Sequence, residues 1–256
     1  MSIETSALST YLNELLIPGE FSDYGPNGLQ IEGKQEIKKI AFAVSATKDS
    51  VQKAVEKKAD ALIVHHGLFW KFHGTRTLTG TFAKRVIPLV RNDINLFGYH
   101  LPLDANMVVG NAATLARKLG LSLLEPFGDY KGSPTGVKGV FSKPVKALDI
   151  KSKLAEVLNH EVIHSCPENS PEISSMGIIT GGANSEWVQA LGQGLDAYIT
   201  GEISEHDWHE ASEGGIHFFA GGHHATEQFG IQALMEKIRD DHSGLEVFYI
   251  DSSNPA

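Results

Sequence analysis

The chain has 256 residues, 41% of them hydrophobic and 21% charged, which excludes wholesale disorder and leaves enough chain for one large or two modest cores. A net charge of −9 argues against a general nucleic-acid footprint, although a local basic patch could survive it. The opening Met1-Ser-Ile-Glu-Thr-Ser has no basic leader region, no apolar run approaches membrane-spanning length, and the single Cys166 rules out an intramolecular disulfide. These features predict a cytoplasmic chain. With twelve histidines and one cysteine, a metal site here would use nitrogen and oxygen ligands, and Cys166 is expected in the core.

Residues 5–16 carry Leu8, Leu12, Leu15 and Leu16 at helical spacing, and Pro18-Gly19 ends that helix. Asp23–Gln30 is dense in turn residues and reads as a surface turn, with Tyr24 and Asn27 as possible pocket residues. Ile40–Val44 is a strand, Lys48–Lys58 a helix with Val51, Ala54 and Val55 inward, and Ala61-Leu-Ile-Val a buried strand running into His65-His66-Gly67. Thr81–Arg91 reads as a helix that Pro88 should kink or end. Ile94–Phe97 is another strand, delivering His100-Leu-Pro-Leu-Asp104, where Pro102 should keep Leu101–Leu103 out of helix and present Asp104 from a turn. Asn111–Leu119 is a helix stopped by Gly120. The Gly- and Pro-rich residues 125–145 separate the chain into a first half, 1–126, and a second, 127–256. Leu148–Leu158 is a helix, Met176–Thr180 and Asp196–Thr200 are strands, and between them lies a helix that Asn184 can cap.

The second set copies the first. At an offset of 136, Val51 meets Trp187, Ala54 meets Ala190, Val55 meets Leu191, Asp60 meets Asp196 and Ile63 meets Ile199. His65-His66 falls on Gly201-Glu202. The echo continues as His100-x-x-x-Asp104 and His223-x-x-x-Glu227, with a spacer 13 residues shorter in the second copy. An internal duplication of alternating strands and helices is therefore expected.

Open α/β sheets hold ligands beyond the carboxyl ends of their strands, which is where His65 with His66, His100 with Asp104, and His223 with His224 and Glu227 all stand. Successive side chains on a strand leave on opposite faces, so one His pair could serve two centres. His223 and Glu227 share a helix face, and His224 and Glu227 are nearly as close, so the two histidines remain alternatives here. Taken singly, each cluster also suits hydrogen-bonded caps. Together they exceed one closed tetrahedral site and suit two ions bridged by a carboxylate, Glu227 or Asp104. Such a pair would lower the pKa of a shared water. His100 could instead orient a ligand through its second nitrogen. Glu202 and His206 are candidate catalytic acids, although His206 and His209 also suit an exposed helix start. Lys71 and Arg76 could pair a triphosphate or simply be solvated. Walker A and dinucleotide-binding signatures are missing.

Asn27-Gly-Leu-Gln, Leu62-Ile-Val-His-His-Gly, His100-Leu-Pro-Leu-Asp, Tyr198-Ile-Thr-Gly-Glu and Gly222-His-His-Ala-Thr-Glu, in this order across nearly the whole chain, resemble the NIF-three-like proteins, known as GTP cyclohydrolase type 2 homologues. The resemblance implies an α/β fold of two similar halves, a dinuclear metal centre in the cleft between them and a ring-shaped homohexamer. It also implies the ligands His65, His66, Asp104, His223 and Glu227. One departure is Gly67, where many relatives carry Pro after His-His. The expected function is that of a metal-dependent hydrolase acting on a nucleotide, GTP cyclohydrolase being the named candidate and zinc, iron or manganese the two divalent ions. The alternatives are a phosphodiesterase or nucleic-acid-processing ring, which the acidic chain disfavours, and a non-enzymatic metal-holding scaffold.

Overall fold

The computed structural model describes residues 2–256, and it is a mixed α/β chain. Its contacts form two compact units: one is the segment up to Leu103 together with Ile231–Ser253, the other is Asp104–Gly230 with Asn254–Ala256. The division thus falls at Leu103/Asp104, whereas the expected boundary at 126/127 lies inside the strand Ser122–Phe127. Among the described residues no helix is long and apolar enough to cross a membrane.

In the first unit a five-stranded sheet runs in the order Glu246–Tyr249, Lys39–Ser45, Ala61–His66, Asn95–Gly98, Gly28–Ile31. The first four are parallel and Gly28–Ile31 closes one edge antiparallel. Ile40–Val44 and Ala61–Val64 are buried on both faces, which is why they read as unbroken apolar runs. Thr47 opens the helix Lys48–Glu56 with a reciprocal capping box to Ser50, and Val51 and Ala54 face the core. The turn expected at residues 23–30 is therefore shorter than supposed, since Gly28–Ile31 pairs with Asn95–Gly98.

Pro88 corrects another expectation. It sits inside a helix that continues from Gly80 to Arg91, and Asn92 closes the end through its N–H and side-chain amide, both donating to the Pro88 carbonyl at 3.2 and 2.7 Å. One turn of helix beyond the proline is thereby retained. The ring still removes a donor to the Lys84 carbonyl, so Pro88→Ala is expected to raise stability by about 1 kcal/mol, less than the full helix propensity difference because the unfolded chain also gains freedom. Urea denaturation midpoints at equal m-value would check this.

In the second unit a six-stranded sheet runs Ser122–Phe127, Gly136–Val145, Ile173–Ile178, Ala197–Thr200, His217–Ala220, Ile163–Ser165. The three strands from Ile173 to Ala220 are parallel and their neighbours on both sides antiparallel. The region 125–145 is accordingly a strand pair and not a linker; Pro126 and Leu123, the latter with φ 51°, disguise it. Asn184 does not cap its helix. Its amide donates to Ser204 Oγ at 2.6 Å and Asp207 Oδ2 at 3.1 Å, and a 3-10 turn, Asn184–Glu186, precedes the helix Trp187–Gly192. Cys166 is exposed rather than buried.

The offset of 136 persists in the hydrogen bonding of the two units. Ile40 pairs with Ala61 in one sheet and Met176 with Ala197 in the other. Asp60 Oδ2 accepts from the N–H groups of Lys38 and Lys39 at 2.9 and 3.0 Å, and Asp196 Oδ2 accepts from those of Ser174 and Ser175 at 2.9 and 2.8 Å. Lys58 and Gly194 make the same left-handed turn after their helices, at φ 54° and 70°. On the third strand Ala61 pairs with Asn95 and Ala197 with His217, so Gly98 matches Ala220 and His100 matches Gly222, one residue from the correspondence expected with His223.

Candidate metal-binding groups

In the first unit, the buried strand Ala61–His66 ends on the two histidines. Their ring centroids are 4.5 Å apart, and His100 approaches them at 5.1 and 5.6 Å. One ligand atom from each of the three lies within 4.8 Å of the others. His65 Nδ1 lies 3.0 Å from the Tyr99 carbonyl, an acceptor only, so Nδ1 carries the hydrogen and Nε2 the lone pair. His66 Nδ1 lies 3.0 Å from Ser45 Oγ. His100 Nδ1 lies 2.7 Å from Asp23 Oδ1.

Asp23 was invisible to motif reading, yet it organises this end of the sheet. It is buried and accepts from the Tyr24 N–H at 2.6 Å, the Asn27 amide at 2.9 Å and the Leu101 N–H at 2.9 Å. Asn27 Oδ1 takes the His100 N–H at 2.8 Å. Burial pushes the Asp23 carboxyl up, but its bond to His100, the charge there and the amide donors outweigh this and hold it below the usual range. Only the turn-rich composition around Asp23 could have flagged it. Gln30 joins the same wall, accepting from the Leu68 N–H at 2.9 Å, and a side chain in place of Gly67 would collide with its amide unless Gln30 moved.

Beside these groups, and within the same unit, Pro26, Phe69, Trp70, Lys71, Arg76 and Phe82 line a cavity of about 290 Å³. Trp70 stands edge-on to His100 at 5.1 Å and stacks on Phe72 at 5.6 Å. Lys71 donates to the Asp23 carbonyl at 2.7 Å, and the Arg76 guanidinium lies 4.0 Å over the Phe82 ring.

In the second unit, Asp104 comes from a short helix, Leu101–Ala105, and not from a turn. Pro102 is tolerated because the first turn of a helix needs no N–H donor there. The Asp104 carboxylate is buried, and its Oδ1 accepts from the Asn111 amide at 2.9 Å and Thr180 Oγ1 at 3.2 Å. Asn111 Oδ1 in turn accepts the Gly230 N–H at 2.6 Å.

His223 opens the one-turn helix His223–Thr226, and its Nε2 is 3.3 Å from Glu227 Oε2. Its Nδ1 is 2.5 Å from Glu202 Oε1. The bond to Glu227 is the largest influence on this imidazole; burial opposes it, but the charges of Glu227 and Glu202 add to it and the pKa rises to about 9. Gly181, at φ 72°, leaves space where any side chain would collide with the Glu227 carboxylate. His223 is thus the histidine that meets Glu227, while the neighbouring His224 is buried with its N–H on the Ala256 carbonyl at 2.8 Å. Glu202 holds His223. His206 is exposed on the helix Glu205–Gly214, 3.5 Å from Asp207.

A family model described as Duf34/NIF3 (NGG1p interacting factor 3) matches residues 3–255. A Vibrio cholerae protein named GTP cyclohydrolase 1 type 2 homolog is 42% identical over 97% of this chain and 98% of its own length. A protein of the same name from Haemophilus influenzae is 44% identical over the same shares. Among solved structures, the ybgI protein, described as of unknown function, superposes with a TM-score of 0.92 at 40% identity over 99% of this chain and 100% of its own. TTHA1606 of Thermus thermophilus follows the same fold, with a TM-score of 0.87 at 32% identity over 99% and 100%.

Proposed function

Because the chain belongs to the DUF34/NIF3 family, we propose that it is a metal-dependent hydrolase acting on a nucleotide, with ring opening of GTP as its reaction. The observation that carries the reading is the state of the histidines. His65 has its Nδ1–H tied to a backbone carbonyl and His223 has its Nδ1 tied to a carboxylate, the kind of partner that fixes a metal-binding imidazole through its remote nitrogen and turns its Nε2 toward neighbouring ligand groups. All the donors are nitrogen or oxygen, which suits zinc, iron or manganese.

The proposed ligands of two such ions are His65, His66, Asp104, His223 and Glu227. When bound, a pair of ions supplies Lewis-acid charge and acidifies water. The chain's own side chains do the rest. Asn111 and Thr180 aim the Asp104 carboxylate, Glu202 orients His223, and Asp23 holds His100 beside the pair His65-His66. The cavity at Trp70 offers aromatic faces to a purine, with Lys71 and Arg76 as cations for its phosphates. A departing ring nitrogen needs a proton, for which Glu202 and His206 are the proposed carriers; the contact of Glu202 with His223 supports the former more. The proposal includes a homohexamer, to be read by light scattering.

The test is the absorbance and mass of GTP incubated with protein loaded in turn with zinc, iron and manganese. Release of formate or a hydrated, ring-opened product, lost in Asp104→Ala, is the expected result. GTP returned intact with every metal, while a phosphodiester is cleaved, would replace this reading with a phosphodiesterase.

A further inference from the structure

The second unit carries another cluster of metal-ligating side chains, on the edge strand Ile163–Ser165 and its neighbour His217–Ala220. Phe218 pairs with Ser165 and Phe219 with His164, so the next pair in this antiparallel register sets His217 opposite Cys166. Side chains two apart on a strand share a face. His164 and Cys166 therefore rise on the same side as His217 and Phe219, and one ligand atom from each of His164, Cys166 and His217 falls within 4.8 Å of the others.

The hydrogen bonding prepares these groups for a cation. His217 is wholly buried, and its Nε2 lies 2.9 Å from the Pro171 carbonyl, which can only accept. Nε2 thus carries the hydrogen and Nδ1 holds a lone pair aimed at His164 Nε2, 3.0 Å away. A backbone carbonyl on the remote ring nitrogen is the usual partner of a metal-bound histidine. Lys151 and His217 flank the His164 ring, which is itself half-buried against Phe219. The His164 ring is fixed by stacking on Phe219 at 4.3 Å and 6°. The Cys166 backbone is fixed too, because Ser212 Oγ donates to its carbonyl at 2.8 Å. Its thiol is exposed, which gives an ion a way in.

We propose that His164, Cys166 and His217 form a zinc-class metal site, separate in ligands and chemistry from the histidine–carboxylate groups described above. Two imidazoles and a thiolate are a ligand set that zinc accepts with a fourth, open position. Bonds of about 2.1 Å span two nitrogens 3.0 Å apart with little movement. On binding, the ion takes the place of the hydrogen between the two rings. The His164 proton moves from Nε2 to Nδ1, and the Cys166 thiol releases its proton to solvent.

Cys166 is the only cysteine, so a thiolate-to-metal charge-transfer band can come from nowhere else in the chain. Reduced, metal-free full-length protein is titrated with cobalt(II), followed by zinc. The expected result is a near-ultraviolet thiolate–cobalt band that zinc bleaches, lost in Cys166→Ser and weakened at least tenfold in apparent affinity in His164→Gln. Both substitutions lie outside the buried core, and circular dichroism would verify folding. Zinc should also slow alkylation of Cys166 by iodoacetamide at least tenfold. His66→Ala should leave all of this unchanged, so the outcome is independent of the nucleotide reading. Folded protein that shows no band, or a band and alkylation rate indifferent to His164→Gln, would overturn the proposal.

Discussion

Glu227→Ala is expected to lose most of the bound metal, and His66→Ala about one ion in two, when freshly purified protein is measured by elemental analysis. The difference rests on Glu227, rather than Asp104, being the carboxylate that would be shared by both ions, a role we propose for it here. Glu227 is 2% exposed, faces His223 Nε2 at 3.3 Å, and lies where Gly181 leaves room for its carboxylate. Its removal also takes away the group that most strongly raises His223, so that imidazole should titrate closer to its ordinary value. In the metal-free chain an ion must displace a proton from His223, and uptake should therefore weaken as the pH falls. Glu227→Gln, which keeps the shape and removes the charge, separates ligation from packing. A stoichiometry near two that is unchanged in Glu227→Ala would sink the assignment.

Asp60→Ala should destabilise the chain by about 2 to 3 kcal/mol, because it strands two backbone donors at once and removes the partner of a half-exposed lysine. Asp60 accepts from the Lys38 and Lys39 N–H groups and from Lys34 Nζ at 2.5 Å. The Lys34 side chain is 46% exposed, so most of the effect belongs to the amides and not to the ion pair. Burial pushes the Asp60 carboxyl up, but the Lys34 bond and the two amides prevail and keep it below its ordinary value. Its contribution is therefore present above the unfolded carboxylate pKa of about 4 and is lost as pH falls through the folded value. Urea unfolding of the parent and Asp60→Ala should differ strongly at neutral pH and converge in acid. An equal difference at both would show that the loss is one of packing. Asp196→Ala, with two amides and the Ser175 hydroxyl but no lysine on the carboxylate, should cost less, about 1 to 2 kcal/mol.

The histidines at strand ends were legible because a buried strand has one place to put polar groups. The offset between Asp60 and Asp196 was legible because both carboxylates perform the same local task, capping the start of a neighbouring strand. Asp23 was not, since its partners His100 and Leu101 lie more than seventy residues away and nothing local announces them. The strands Ser122–Phe127 and Gly136–Val145 were hidden by an exposed face and a proline, so neither alternation nor an apolar run was visible. Pro102 misled because its rule depends on position: it forbids a helix interior but not a first turn. Cys166 misled because it stands just past the end of an edge strand, where hydrophobicity alone does not decide burial.

The return of Glu246–Tyr249 to the first sheet has a consequence for synthesis. Lys39 and its partner Glu246 are 207 positions apart, whereas every strand of the second sheet lies between Ser122 and Ala220. A ribosome adding about 5–20 residues per second would leave the open edge of Lys39–Ser45 waiting for about 10 to 40 s after it emerged. The later-made sheet can close first. Meanwhile Ile40, Ala41 and Phe42, which are fully buried in the finished chain, belong to a strand whose final neighbour does not yet exist. Nascent chains stalled before residue 246 would therefore expose an apolar strand edge, the kind of surface that chaperones and aggregates compete for.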